Sequence, residues 1–276
     1  NGAIDVYASR NTDLVIDING YFTPPGNHTL QFYPLTPCRV LDTRNSVGTF
    51  GGPFLAGATR RAFPIASSPC LASSSARAYA LYVTAVPRGH AGYLTAGPAG
   101  QSQPNAILNS LDLNISTVAT IVPAGMDGGV NFFASEDTDL IVDVDGYFAS
   151  PGTGLNFYTL TPCRIADTRD PIGIWGGPIL SAGKTRSFPL PQSSCGLPAS
   201  ASAYSLTLTA APQGPAGRLT IWPAGGALPG ASMLNSPRGS TVANTVLVPA
   251  GAGGSIQVFA WEATDLVMDI NGYFGK

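Results

Sequence analysis

The segment TDLVIDINGYF at residues 12–22 returns as TDLIVDVDGYF at 138–148 and as TDLVMDINGYF at 264–274, with 126 residues from each start to the next. This repetition constrains the chain more than any single motif. A period of that length is a domain, whereas a solenoid turn recurs roughly every 20 to 50 residues. Between the copies the landmarks keep one order. PCRVLDTR (37–44) matches PCRIADTR (162–169), and RAFPI (61–65) matches RSFPL (186–190). AYALYVTAVP (78–87) matches AYSLTLTAAP (203–212), and ILNS (107–110) matches MLNS (233–236). The chain therefore reads as a tail-like segment at 1–22, one unit at 23–148 and a second at 149–276.

Glycine (33) and proline (24) fill about a fifth of the chain. They punctuate it too often for long helices and favour short strands joined by turns. Most blocks between them alternate apolar residues with Thr, Ser or Arg, the pattern of a strand with one buried face. The expected fold is all-β: tandem antiparallel β-sandwich domains of about nine strands, with a closed barrel as the alternative.

In the first tail copy, Leu14, Ile16, Ile18 and Phe22 alternate with Asp13, Val15, Asp17, Asn19 and Tyr21, which predicts one apolar face packed on a core. Leu140, Val142, Val144 and Phe148 repeat the division, as do Leu266, Met268, Ile270 and Phe274. The preceding stretches NGAIDVYAS (1–9), GGVNFFAS (128–135) and GGSIQVFAW (253–261) read as strands paired with these, so each tail is expected to be a β-hairpin. A lone hairpin is marginal in water. Residues 1–22 thus need strands from elsewhere: the earlier part of a unit in a longer tandem array, or another copy that accepts a donated hairpin. Both are head-to-tail contacts, which propagate into fibres.

Cys38 and Cys70 are separated by 32 residues, and so are Cys163 and Cys195. The duplicated spacing, without a CxxC or a neighbouring histidine, predicts two disulfides, one per unit, with buried free thiols as the alternative. Disulfides imply an oxidising compartment and an extracellular or cell-surface protein. The net charge is -2, and Lys184 and Lys276 are the only lysines. With no basic stripe, nucleic acid is excluded as a partner, and no apolar run is long enough to insert into a membrane as a helix.

The combination of FYPLTPCRVLDTR, a second cysteine some thirty residues on, GYLT followed by Pro-Ala-Gly, a Leu-Asn-Ser block and TDLIVDVDGYF resembles a domain found in tandem in exported and cell-surface proteins of bacteria, actinobacterial and acidobacterial ones among them. The resemblance spans essentially the whole chain. It implies a secreted or surface-displayed repeat module, and it carries no catalytic residue.

The mid-strand Asp17, Asp143 and Asp269 are expected to meet an arginine of a DTR block, in a structural network with Asp42, Arg44, Asp167 and Arg169. Arginine suits this because its planar fork holds a carboxylate at two points. The alternative is a solvated carboxylate on an open face. Asp143-Val-Asp145-Gly146 also resembles part of a calcium loop, but the first ligand and the closing glutamate of such a loop are missing. His28 lies in a linker and His90 in a turn with no histidine in the other unit, which argues against a Ser/His/Asp triad. Neither a cofactor nor an enzymatic activity is expected. Trp175, Trp222 and Trp261 all belong to the second unit and form a candidate sugar-stacking platform, with core packing as the alternative. The reading that follows is a structural or adhesive surface protein whose partners are further copies of itself, or further repeats, head to tail. The alternative is a carbohydrate-binding module that recognises surface glycans.

Overall fold

A computed structural model describes residues 3–26, 29–71, 75–90, 92–102, 106–109 and 114–276; Asn27 and His28 lie outside them. The first unit contains β1 (Gln31–Asp42), β2 (Thr59–Phe63), β3 (Ala78–Pro87), β4 (Tyr93–Pro98), β5 (Ala106–Asn109), β6 (Ser116–Pro123), β7 (Val130–Ala134) and β8 (Thr138–Ala149). The second repeats them as β9 (Asn156–Asp167), β10 (Lys184–Pro189), β11 (Ala203–Pro212), β12 (Gly217–Pro223), β13 (Leu234–Ser236), β14 (Val242–Pro249), β15 (Ser255–Ala260) and β16 (Thr264–Gly275). The expected nine strands per unit are eight among the described residues. Each unit is a sandwich of two antiparallel sheets, in the orders β1-β8-β3-β6 and β2-β7-β4-β5, then β9-β16-β11-β14 and β10-β15-β12-β13.

Alternation explains the packing. Leu81 and Val83 of β3, with Leu140, Val142 and Val144 of β8, face Phe63, Leu94 and Phe132 of the opposing sheet in one core. Leu206, Leu208, Leu266, Met268 and Ile270 do the same in the second unit. Each such side chain, once buried, contributes about 1.5–3 kcal/mol. Disulfides join Cys38 to Cys70 and Cys163 to Cys195, with Cα–Cα separations of 5.8 and 5.7 Å. They tie the first strand of each unit to the loop before its third.

Three sequence expectations need correction. The last two strands of a unit are not a hairpin: β7 pairs with β2 and β4, whereas β8 pairs with β1 and β3. Both edges of each strand are already occupied, so the three residues between them arch from one sheet to the other. Alternation reports which residues face a core and is silent about which sheet a strand joins.

The apolar face also switches within the strand. Leu140, Val142 and Val144 point into the core, but a bulge opposite Ala80 and Leu81 takes up Asp145. Beyond it Tyr147 turns to the core and Phe148 to the joint between units. Asn271 does the same in β16, sending Tyr273 inward and Phe274 to the joint. An extra residue in a strand inverts the facing of all that follow.

Residues 3–26, finally, contain no strand. Leu14, Ile16 and Ile18 are exposed here, at 59, 60 and 82%, although their counterparts in β8 and β16 are buried. The tail-like sequence has the side chains of a central strand without the sheet.

Candidate functional site

The two units meet through the outer face of the β1-β8-β3-β6 sheet. Its centre is an ion pair fixed by register, because Arg39 stands opposite Asp143 across β1 and β8. The guanidinium donates from Nε to Oδ1 at 2.5 Å and from Nη2 to Oδ2 at 3.2 Å, and a third bond runs from Nη1 to Asp42. Arg44 holds Asp42 from the other side, at 2.6 Å. The second unit copies this set with Arg164, Asp269, Asp167 and Arg169. The arginine that meets the mid-strand aspartate thus comes from PCR and not from DTR. Arg44 and Arg169 lie beyond the ends of β1 and β9 and reach only Asp42 and Asp167. Arg39 and Arg164 went unassigned in the sequence because their role depends on register, although PCR recurs in both units.

The second unit seats on this face. The Gly230 carbonyl accepts from Arg39 Nη2 at 3.0 Å, and the Ser232 amide donates to Asp143 Oδ2 at 3.2 Å. Asn235 Nδ2 donates to the Thr117 hydroxyl, and the Ala119 amide donates to Asn244 Oδ1. Tyr82, on β3, is buried within the apolar cluster of the second unit. Burial pushes the Asp143 carboxyl upward, opposed by the Arg39 fork and the Ser232 amide. In the second unit the Arg169 hydrogen bond holds Asp167 down at about 2.

Asp145, in the bulge, borders a cavity of about 240 Å³ shared by the units and lined also by Tyr82, Ala119 and Leu247. Burial pushes its carboxyl up to about 8. Asp145 Oδ1 and the Tyr82 hydroxyl lack a partner in hydrogen-bond geometry. The Asp143-Val-Asp145 pair that resembled a calcium loop therefore splits: Asp143 is committed to Arg39 and Ser232, and Asp145 sits in the cavity. Among the described residues no group of three His, Cys, Asp or Glu could hold a metal. His90 is exposed in its turn.

Below this face an aromatic cluster closes the joint. Phe32 lies 5.1 Å from Phe148 and 4.5 Å from Phe274, and Phe157 lies 4.9 Å from Phe274. Glycine makes room for these rings, since a Cβ on Gly146 would meet Phe32 at 2.3 Å and one on Gly272 would meet Phe157 at 2.4 Å. Leu155 of the connection pairs with Phe32 through both backbone bonds and is buried. Its counterpart Leu30 is 43% exposed.

Residues 12–22 lie against the same joint. Asn19 donates to the Ile121 carbonyl at 3.1 Å, and Phe22 stacks on Phe157 at 4.4 Å. Asn19 holds the repeat position of Asp145, and Ile121 in IVPAG holds that of Leu247 in LVPAG. The placement of Asn19 at Ile121 thus repeats that of Asp145 at Leu247, while Phe22 lies on Phe157 and Phe274 of the second unit, as Phe274 lies on Phe32 of the first.

The tryptophans do not form one platform. Trp222 is buried and donates to the Gly226 carbonyl, and Trp175 packs against the core. Trp261 is half exposed under the Arg218 guanidinium, beside Phe259. No helix among the described residues is long and apolar enough to cross a membrane. The disulfides are compatible with an extracellular protein. No protein-family model and no curated protein matches the chain.

Proposed function

We propose that this chain is a structural element of an extracellular or cell-surface stalk or fibre, built by stacking β-sandwich units of one type head to tail. The observation that carries the reading is the repeated placement: Asn19 lies at Ile121 as Asp145 lies at Leu247, along one cavity at the joint. A contact that recurs in the same sense between successive units is heterologous, and it closes into a ring where the rotation per step returns to the start and otherwise continues into a fibre. In this reading residues 3–22 are the closing strands of a preceding unit, the former for the second sheet and the latter for the first. Gly20 has open space above it, where Gly146 and Gly272 receive a phenylalanine ring. Leu30 gains its cover from that unit, as Leu155 does from Phe32.

Two further features support the role. A disulfide in each unit and a short proline-containing joint, pinned by backbone bonds, resist extension and shear. The resemblance to tandem domains of exported bacterial proteins points the same way. The carbohydrate-binding alternative draws less support, since only Trp261 of the three tryptophans is open. The test is negative-stain microscopy of native surface material, with labelling of intact cells by an impermeant reagent. Labelled fibres are expected; an unlabelled protein without fibres contradicts the proposal.

A further inference from the structure

We infer that the joint is a closed ring of three β-sandwiches, in which the third place belongs to a unit of the same type, continuous with residues 3–22 as its closing strands. This rests on the head-to-tail reading and fixes the number of units at which the contact closes.

Two relations at the joint set that number. Asn19 lies at Ile121 as Asp145 lies at Leu247, so the unit that owns residues 12–22 stands before the first unit as the first stands before the second. Phe22 lies 4.4 Å from Phe157, as Phe274 lies 4.5 Å from Phe32, so the same unit stands after the second as the second stands after the first. A unit that both precedes the first and follows the second is the third member of a ring, and three equal steps return to the start.

The gap at the centre has the place of the missing part. Phe22, Phe148 and Phe274 share one repeat position, and Phe32 and Phe157 share another. Three units bring six such side chains together, and the described residues supply five. By the pattern of the other two, the sixth packs on Phe22 and Phe148 and lies over Gly20 as Phe32 lies over Gly146. A cavity of about 420 Å³ lies there, bordered by Gly20, Phe22, Leu30 and Phe148. Gly20 has nothing within 4 Å of a Cβ placed on it, and Phe22 and Leu30 are 55 and 43% exposed. A side chain at the repeat position of Phe32 enters this cavity and covers all three, and its backbone pairs with Leu30 as that of Phe32 pairs with Leu155.

The outer wall closes in the same way. The second unit covers Arg39 and Asp143 and leaves their side chains 27 and 1% exposed, whereas Arg164 and Asp269 stay 52 and 33% exposed. The edge of the third unit that corresponds to Gly230 and Ser232 reaches the open pair with backbone groups, which need no particular side chain. Ring closure uses every head-to-tail surface, so a stalk is built of such rings, joined through their other surfaces.

The third sandwich can be supplied from the chain's own repeat, by placing residues 149–253 directly before Gly2, which holds the repeat position of Gly254. Small-angle X-ray scattering of this three-unit chain and of the 276-residue chain reads the shape, since three touching spheres in a ring are no longer than two. Equal maximum dimensions are expected. A particle longer by a whole unit overturns the ring and leaves head-to-tail stacking standing, because fibres on cells are scored separately. Thr207 stands opposite Asp269 on the open face. Thr207→Arg should lower the melting temperature of the three-unit chain by about 3 °C or more and leave the two-unit chain unchanged; an equal effect in both contradicts the cover. Replacing Phe22 by benzoylphenylalanine tests closure in the 276-residue chain, with no added unit. Its photo-adducts within the monomer should map to the second unit, at Phe157 or Phe274, and adducts confined to the first unit overturn the ring.

Discussion

Arg39 and Asp143 face each other across β1 and β8 in a two-point ion pair, and Ser232 of the next unit caps the carboxylate. Arg164 and Asp269 make the same pair in the second unit, where the side chains are 52% and 33% exposed. Covering decides what such a pair is worth. Arg39→Ala leaves a buried carboxylate without its counter-charge and should cost about 3 kcal/mol or more. Arg164→Ala removes a solvent-screened pair and should cost about 1 kcal/mol or less. Urea unfolding of the two variants under identical conditions checks the difference; equal losses would mean that the second unit does not seal the face.

Ile16, Val142 and Met268 share one repeat position, but only the latter two are buried. Val142→Asp and Met268→Asp place an unpaired charge in an apolar core and should each destabilise by about 4 kcal/mol or more. Ile16→Asp should leave the melting temperature of the isolated chain unmoved. A matching loss for Ile16→Asp would reveal a core contact for 12–22 within the chain itself.

The disulfides close loops of equal length, and in the chain-entropy model each should stabilise its unit by about 3 to 4 kcal/mol. Replacing Cys163 and Cys195 together by serine should lower the second unit's transition by that amount and spare the first. Calorimetry reads this directly, and non-reducing peptide mapping reads the pairing.

Asp145 replaces the asparagine found at positions 19 and 271. Its carboxyl is pushed from 3.8 to about 8 by burial, in a cavity shared with Tyr82 and close to Asp143. The folded chain keeps this proton where the unfolded chain has released it, so stability from this group falls as pH rises from about 4 to about 8. Asp145→Asn should flatten that dependence and raise the melting temperature by about 3 °C or more near pH 8.5. An unchanged pH profile would show that Asp145 is solvated in the free chain.

The repeat made the domain pattern and the cysteine pairing legible, because duplication removes the ambiguity of a single spacing. Alternation correctly placed Leu140, Val142 and Val144 on the core. It failed at Phe148, because Asp145 adds one residue to the strand and reverses the phase, and the Asp-Gly that marks the bulge reads equally well as a turn. The hairpin reading failed because β7 and β8 join different sheets, a choice made by partners far away in sequence. Asp143 was singled out as an ion-pair residue, but its partner Arg39 depends on register across β1 and β8. The shared cavity and the Tyr82 contact are products of how two folded units meet, and no local pattern announces them.

Hydrogen exchange of residues 14–18 in native, assembled material decides whether this segment closes the sheet of a neighbouring unit. If these residues are a central strand of a neighbouring unit, their amides should exchange as slowly as those of 140–144, whereas in the isolated chain, where 14–18 are exposed and outside any strand, they should exchange rapidly. Rapid exchange of 14–18 in the assembled material would contradict the account, because the segment would then have no sheet to close.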